Sequence, residues 1–381
     1  MALSVPLCVL GVESSCDETA VSVVRRDDEG RVEVVSSVIH SQVVKHAVYG
    51  GVVPEIAARS HVETIDDLAR MALEQAAEKG VSADDLDAVA ATSGPGLIGG
   101  VMVGLSFAKG FAFGRNLPLI GVNHLEGHAL SVRLTEDVAF PFLLLLVSGG
   151  HCQLLAVRGV GDYQRLGTTI DDAAGEAFDK IAKTLGLGYP GGPALEAEAV
   201  NGDATRFELP RALLGRKDCD FSFSGLKTAA ARVAMDQVKT PQDRADLCAS
   251  VQAAITRQLS ERSGRAMKLF KDMTGAENPA FVVAGGVAAN KAVRAGLTQL
   301  AQANGFRFVA PPLAWCTDNA AMIALAGLER FALLREEAGY DEATFCQESL
   351  KTVARPRWPL DEDRAISAPI HKNSGRKGAK A

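Results

Sequence analysis

The segment Val9–Val24 reads VLGVESSCDETAVSVV, and a similar arrangement returns at Phe142–Val157 as FLLLLVSGGHCQLLAV. Each segment has two apolar runs, typical of β-strands, on either side of a short polar turn. After each turn, strand-like and helix-like stretches alternate along the chain, with Pro54 to Lys79 and Asp243 to Met273 as the longest helical patterns. The repetition predicts an α/β fold made of two related domains around a central cleft.

Length and composition are those of a globular protein. The chain has 381 residues, 47% of them hydrophobic and 23% charged, which suits two domains and excludes wholesale disorder. Its longest apolar runs are far shorter than the ~20 residues that span a bilayer, and the N-terminus has no basic region typical of a secretory signal. Seven scattered cysteines without a C-x-x-C motif favour a reducing, cytoplasmic location.

The net charge of −6 is unevenly distributed. Residues 351–381 contain eight Lys/Arg and three Asp/Glu, so this segment carries +5 and the preceding 350 residues carry −11. An acidic body argues against nucleic-acid binding through bulk charge. We expect 351–381 to be a mobile basic tail that is able to contact phosphates.

Two histidines four residues apart are the strongest candidate metal ligands. In NHLEGH (123–128), His124 and His128 would share one face of a helix, while Glu126 would point elsewhere, unlike the base of a zincin H-E-x-x-H motif. From spacing alone, two polar histidines on a surface helix are the commoner alternative. Asp318 precedes an Ala-rich helix, where capping is its commoner role. It would otherwise complete a His2Asp site with open coordination positions.

Glycine-rich turns after strands indicate anion binding. Backbone N–H groups of Val147-Ser148-Gly149-Gly150 and of the AGGVAAN segment (284–290) are suited to phosphates, although neither segment is a P-loop or a Rossmann fingerprint. In IDDAAGEAFDK (170–180), Asp172, Glu176 and Asp179 are expected to share one helix face and to favour a cation or polar ligand opposite them. Alternatively, Lys180 and Lys183, four residues beyond Glu176 and Asp179, would neutralise those two acids. The acids Asp17 and Glu18 of the first turn would order a water or a magnesium ion, or act as ordinary turn residues.

Taken together, these segments resemble the universal tRNA adenosine(37) threonylcarbamoyltransferases, called TsaD in bacteria. The matching motifs run in order from residue 8 to about 335: GVESSCDETAVSVV, YGGVVPEIAARSH, SGPGLIGGVMVGL, NHLEGH, LLVSGGHCQL, TTIDDAAGEAFDKIAK, YPGGP, FSFSGLKTA, AGGVAANKAVR and TDNAAMIA.

The resemblance implies an actin-like, sugar-kinase-type ATPase fold. We expect an N-terminal domain at 1–138, a C-terminal domain at 139–312, a C-terminal helical segment at 313–350 that packs back toward the N-terminal domain, and the tail at 351–381. The implied activity moves the threonylcarbamoyl group from threonylcarbamoyl-AMP to the exocyclic amine of adenosine 37 in tRNAs reading ANN codons, and releases AMP.

The resemblance also implies site residues and partners. His124, His128 and Asp318 would be catalytic and would hold one divalent metal ion per subunit, iron or zinc. We expect substrate- or nucleotide-binding roles, toward threonylcarbamoyl-AMP or ATP/ADP with magnesium, for Leu146, Val147, Ser148, Gly149, Gly150, Asp179, Gly192, Asn290, Asp17, Glu18 and Glu196. The implied partners are tRNA, a paralogous TsaB-type subunit and a small TsaE-type ATPase, with no membrane and no DNA.

Three other functions remain open at this stage. A metallopeptidase would use the same histidines, although no glutamate adjoins them. A small-molecule kinase of the same fold would use Asp17 or Asp179 as a base and would need no His2Asp metal. A non-catalytic paralogue would lack the metal histidines, which this chain keeps. From the sequence alone, His124→Ala would abolish transfer and leave folding intact.

Overall fold

The structure is a computed structural model that describes residues 6–367. Within them the strands are β1 (Leu7–Glu13), β2 (Glu18–Arg26), β3 (Val32–Ser41), β4 (Ala88–Gly94), β5 (Leu119–Asn123), β6 (Phe142–Val147), β7 (Cys152–Gly159), β8 (Asp162–Thr168), β9 (Ala280–Ala284) and β10 (Arg307–Val309). The α-helices are α1 (Val43–Ala47), α2 (Pro54–Glu78), α3 (Ile98–Arg115), α4 (His124–Leu130), α5 (Ala174–Thr184), α6 (Gly191–Ala199), α7 (Ser224–Gln237), α8 (Pro241–Thr274), α9 (Lys291–Ala303), α10 (Ala320–Glu336), α11 (Glu342–Ser349) and α12 (Glu362–Ser367).

The described strands form two sheets of the same topology. The first has the order β3-β2-β1-β4-β5 and the second the order β8-β7-β6-β9-β10. In each sheet the central strand pairs antiparallel with the following strand and parallel with a strand reached through a helical crossover. The two strand–turn–strand segments quoted above are therefore β1-β2 and β6-β7, and the predicted duplication is confirmed at the level of topology.

The described residues divide into two compact units. The first comprises residues 6–137 and 311–360, and the second residues 138–310 and 361–367. These limits lie next to the domain boundaries predicted after residues 138 and 312.

In the first unit, helices cover both faces of the sheet. Helices α2 and α3 pack on one face, and α10 packs on the other, against β1 and β4. Gly11 and Gly327 allow this close approach, because a Cβ at Gly11 would overlap the Ala320 carbonyl and one at Gly327 would overlap Ala90. The sheet is therefore packed on both faces, and this packing holds Glu13 at the end of β1.

The prediction of a mobile tail over residues 351–381 is wrong for its first residues. Residues 352–358 lie against β4 and β5 of the first unit, where Arg355 N donates to Ser93 O and Asn123 Nδ2 donates to Trp358 O. In the second unit, Asp361 Oδ2 accepts from Arg165 N at 2.7 Å. The basic composition suggested mobility, but hydrogen bonds to the ends of β4 and β5 order residues 352–358. Residues 368–381 of the predicted tail lie outside the described residues.

Across residues 6–367, none of the helices combines the length and the apolar character that crossing a membrane requires.

Candidate functional site

The carboxyl ends of three parallel strands bring the candidate metal ligands together. Strands β1, β4 and β5 run parallel and adjacent, so Glu13, Thr92 and the start of α4 meet at one sheet edge. The apolar strand β5 ends at Asn123, whose side chain accepts from Leu125 N at 2.9 Å and so begins α4. His124 and His128 lie one turn apart on this helix, with ring centroids 4.8 Å apart.

Asp318 completes a cluster of three ligand atoms. Its Oδ1 lies 3.0 Å from His128 Nε2 and 3.5 Å from His124 Nε2. Asn319, rather than Asp318, caps α10, because its side chain accepts from Met322 N. The capping role that local sequence favoured for Asp318 is therefore wrong, and its carboxylate faces the histidines instead.

The three side chains fit a divalent metal ion. One atom from each lies within 4.8 Å of the other two, and both histidines are buried while Asp318 is partly exposed. Two imidazoles and one carboxylate suit iron or zinc and leave coordination positions open for a substrate. These residues would hold the ion through the two Nε2 atoms and a carboxylate oxygen of Asp318.

Glu13 is a functional candidate that the sequence motifs did not reveal. It is completely buried, and its Oε2 accepts from His124 Nδ1 at 3.0 Å and from Thr92 Oγ1 at 2.6 Å. Metal-ligating histidines commonly donate their second ring N–H to such a carboxylate, which fixes the ring and its tautomer. A glutamate at the end of an otherwise apolar strand was the available signal, since buried glutamates are rare unless paired.

The carboxylates and the imidazole in this cluster shift each other's pKa values. Burial alone would lower the pKa of His124, but the carboxylates of Asp318 and Glu13 outweigh it and raise that pKa to about 9. For Glu13, burial opposes ionisation, yet attraction to His124 holds its pKa below the usual value. At neutral pH His124 is thus favoured as a cation between two carboxylates, and a metal ion held by its Nε2 would have to replace its proton.

We expect Glu13→Gln to weaken metal binding about ten- to hundredfold. A glutamine amide has a single acceptor oxygen, whereas Glu13 accepts on both oxygens, from His124 and Thr92 on one and from Ser15 N on the other. Isothermal titration of the metal-free protein with Zn²⁺ measures the change. The matched control is Glu126→Gln, because Glu126 is equally buried in α4 but pairs with Arg330. Equal affinities for Glu13→Gln and wild type would contradict the orienting role.

Asp17 lies in the β1–β2 turn of the same unit, and Glu18 is the first residue of β2. Desolvation, followed by the negative charges of Asp318 and Asp17, raises the pKa of Glu18 to about 9. Glu18 therefore interacts electrostatically with Asp318, one of the candidate metal ligands.

Glu18 gives the metal-free protein a distinct pH dependence. Between pH 4.5 and 9 the folded state keeps the Glu18 proton and the unfolded state loses it, so stability falls as pH rises. We expect Glu18→Gln to reduce this fall, because glutamine does not titrate. Thermal unfolding with chelator from pH 5 to 9 measures the slope. The exposed Glu55→Gln serves as control, and an unchanged slope in Glu18→Gln would refute the assignment.

In the second unit, the predicted phosphate loops also follow parallel strands. Leu146 and Val147 end β6, and Ser148, Gly149 and Gly150 form the turn into β7, while Gly285 follows β9. Gly149 and Gly150 are exposed, and a Cβ on either would meet no described atom within 4 Å. Ser148 N donates to His151 O at 2.8 Å, so the open turn leaves the backbone N–H groups of Gly149 and Gly150 accessible to an anion.

Hydrogen bonds tie these loops to neighbouring segments. Gly175 N, in the first turn of α5, donates to Ser148 O at 3.2 Å. Asp179 Oδ1 accepts from Gly191 N and Gly192 N at 2.9 and 3.2 Å, which holds the YPGGP turn.

The remaining predicted ligand residues make protein contacts. Asn290 caps α9 through Val293 N and donates to Gln252, and Glu196 Oε1 accepts from Lys291 N at 2.8 Å. In α5, Lys180 pairs with Glu176, as the four-residue spacing suggested. Lys180 also pairs with Asp172, which precedes the helix and does not share its face as predicted. The roles of Asp179, Gly192, Asn290 and Glu196 toward a ligand stay predictions.

Comparisons with known proteins agree with this geometry. Residues 33–325 match the family model for TsaD, tRNA N6-adenosine threonylcarbamoyltransferase. Curated proteins of that description from Caulobacter vibrioides and Maricaulis maris are 66% identical over 375 residues and 60% identical over 379 residues. The first alignment covers 98% of both chains, and the second covers 98% of this chain and 96% of the relative.

A solved structure shows the same fold at low sequence identity. The crystal structure of T. kodakarensis HypF aligns with a TM-score of 0.57 at 16% identity, over 87% of this chain and 49% of HypF, so the chain spans about half of that protein. The predicted actin-like, sugar-kinase-type fold is confirmed.

Proposed function

Because this chain belongs to the TsaD family of tRNA N6-adenosine threonylcarbamoyltransferases, we propose that it transfers the threonylcarbamoyl group of threonylcarbamoyl-AMP to the N6 amine of adenosine 37. The proposed substrates are tRNAs reading ANN codons, in the cytoplasm. The observation that carries the proposal is the convergence of His124, His128 and Asp318, together with Glu13 behind His124.

The proposed reaction is an acyl transfer. The N6 amine forms a bond to the carbamoyl carbon, and the bond from that carbon to the phosphate oxygen breaks. AMP leaves with the bonding electrons, and the amine gives up one proton. An anticodon loop suits this chemistry because its unpaired bases expose their edges.

The residues of the first unit prepare the metal centre. Glu13 fixes the His124 ring so that Nε2 faces Asp318, and His128 presents its own Nε2 to the same carboxylate. A bound iron or zinc ion would supply Lewis-acid stabilisation of the charge that develops on the carbamoyl or phosphate oxygens. Asp17 and Glu18 are assigned a helper role near the phosphates, with magnesium as a suitable counter-ion.

The residues of the second unit are assigned to the nucleotide. Backbone N–H groups of Gly149 and Gly150 would stabilise the phosphate of the leaving AMP with little reorganisation, whereas Ser148 N already donates to His151 O. Asp179 holds the Gly191–Gly192 turn for the same ligand.

The decisive experiment is incubation of purified chain with threonylcarbamoyl-AMP and unmodified tRNA. It is run with and without a TsaB-type paralogue and a TsaE-type ATPase, and the modified nucleoside is measured by mass spectrometry. We expect modification that depends on tRNA and is strongest with the partners. Absence of the modified base in every combination would overturn the proposal.

The structure disfavours the metallopeptidase alternative. Glu126 is completely buried and pairs with Arg330, so it is not placed as a general base beside the histidines. A peptidase assay on metal-loaded protein without tRNA tests this alternative. A small-molecule kinase would retain activity after chelation of iron and zinc in magnesium buffer.

A further inference from the structure

We propose that residues 349–358, which we name the C-terminal strap, position the metal-binding helix α4. The strap residues are thus positioning residues for the metal centre, and the inference rests on the metal role proposed above. It concerns a segment that lies beyond residue 325, where the match to the family model ends.

The strap follows strand β5 from its first residue to its last. Ser349 Oγ accepts from Leu119 N at 3.1 Å. The Thr352 methyl group lies against Gly121, where a Cβ would come within 2.7 Å of it. The strap therefore runs alongside β5, the last strand of its sheet.

The end of strand β4 is shaped to receive the strap backbone. Arg355 N donates to Ser93 O at 2.6 Å, and Gly96 N donates to Pro356 O at 3.3 Å. Gly94 lies between them with φ +138°, and a Cβ there would overlap Arg355 O. A residue other than glycine would be strained at this φ and would also displace the strap.

Asn123 connects the strap to the metal helix. It is only 1% exposed, and its side-chain oxygen and nitrogen form hydrogen bonds to two different segments. Oδ1 accepts from Leu125 N in the first turn of α4, and Nδ2 donates to Trp358 O at 2.9 Å. The Arg355 guanidinium lies over the Trp358 ring, 4.5 Å from its centroid, and steadies this end of the strap.

The next residue after this junction is His124. Helix α4 has seven residues, too few to be stable by itself, so its orientation depends on its neighbours. Movement of Asn123 would shift the first metal ligand directly. Displacements on the order of 1 Å are enough to degrade a metal or catalytic geometry.

Two full-length variants test the strap. Asn123→Ser keeps a side-chain oxygen for capping α4 but loses the donor to Trp358 O. Trp358→Ala removes the ring under Arg355. The control is Val353→Ala, because the Val353 side chain is 65% exposed within the strap.

The probe is Co²⁺ added to chelator-treated protein. Its dissociation constant and visible absorption spectrum report the affinity and geometry of the ligands, and hydrogen exchange reports the order of residues 124–130. We expect Asn123→Ser to weaken Co²⁺ binding about ten- to hundredfold, to alter the spectrum and to speed exchange in α4, with Trp358→Ala smaller in the same direction.

The outcomes separate two failures. If wild-type protein does not bind Co²⁺, the proposed metal role fails. If wild type binds and Asn123→Ser keeps the wild-type affinity and spectrum, even with a lower melting temperature, the strap is structural only and the inference is overturned.

Discussion

Full-length protein carrying His128→Ala is expected to lose its metal and to transfer threonylcarbamoyl about a thousandfold more slowly, while it stays folded. Loss of one of three ligands removes the metal contribution to transition-state charge stabilisation, which is several kcal/mol. The fold tolerates the change because His128 Nδ1 has no hydrogen-bond partner among the described residues and Nε2 faces only partly exposed Asp318.

The structure changes the expected result for the other histidine. His124→Ala leaves the buried Glu13 carboxylate without its charged partner, and breaking a buried pair in this way costs about 3–5 kcal/mol of stability. The sequence-based expectation that this variant folds normally is therefore revised. Adding Glu13→Gln to His124→Ala removes the unpaired charge, so the double variant is expected to regain part of the melting temperature.

Metal content by mass spectrometry, circular dichroism and single-turnover transfer check the His128→Ala prediction. The control is His40→Ala, a histidine of β3 in the same unit and outside the metal cluster. Wild-type transfer by metal-free His128→Ala would show that the cluster has no catalytic role.

Local patterns predicted the α/β fold class and two of the three candidate metal ligands. Apolar runs around polar turns located β1-β2 and β6-β7, and the i, i+4 spacing placed His124 and His128 on one helix face. These features depend on neighbours within a few residues. The strand pairs and the shared helix face could therefore be predicted from the sequence alone.

The remaining features depend on distant contacts. Glu13 and His124 are 111 residues apart, and no local motif links them. Local spacing favoured Asp318 as a helix cap, and only the family resemblance implied it as a metal ligand; in the structure Asn319 is the cap. Residues 351–358 looked mobile because they belong to a basic C-terminal segment, yet Ser93 and Asn123 supply their hydrogen-bond partners from far away in the sequence.

The second large effect concerns the nucleotide loop. We expect Gly285→Ala to weaken nucleotide binding at least tenfold and to leave metal binding unchanged. Gly285 has φ +97°, where a residue with a Cβ costs about 1–3 kcal/mol, and the added Cβ would lie 2.6 Å from Val147 O. Relief of this overlap must move the backbone that leads into Ser148 and Gly149, and each 1.4 kcal/mol corresponds to a tenfold change in affinity.

Titration with ADP and with threonylcarbamoyl-AMP measures the Gly285→Ala effect, and Zn²⁺ titration checks the metal centre. Gly225→Ala is the matched control, because Gly225 lies exposed in α7 of the same unit and a Cβ there meets no described atom within 4 Å. His128→Ala is expected to lose the metal ion and to keep nucleotide binding, whereas Gly285→Ala is expected to do the reverse. Unchanged nucleotide affinity in Gly285→Ala would contradict the assignment of the phosphate to the Val147–Gly150 loop.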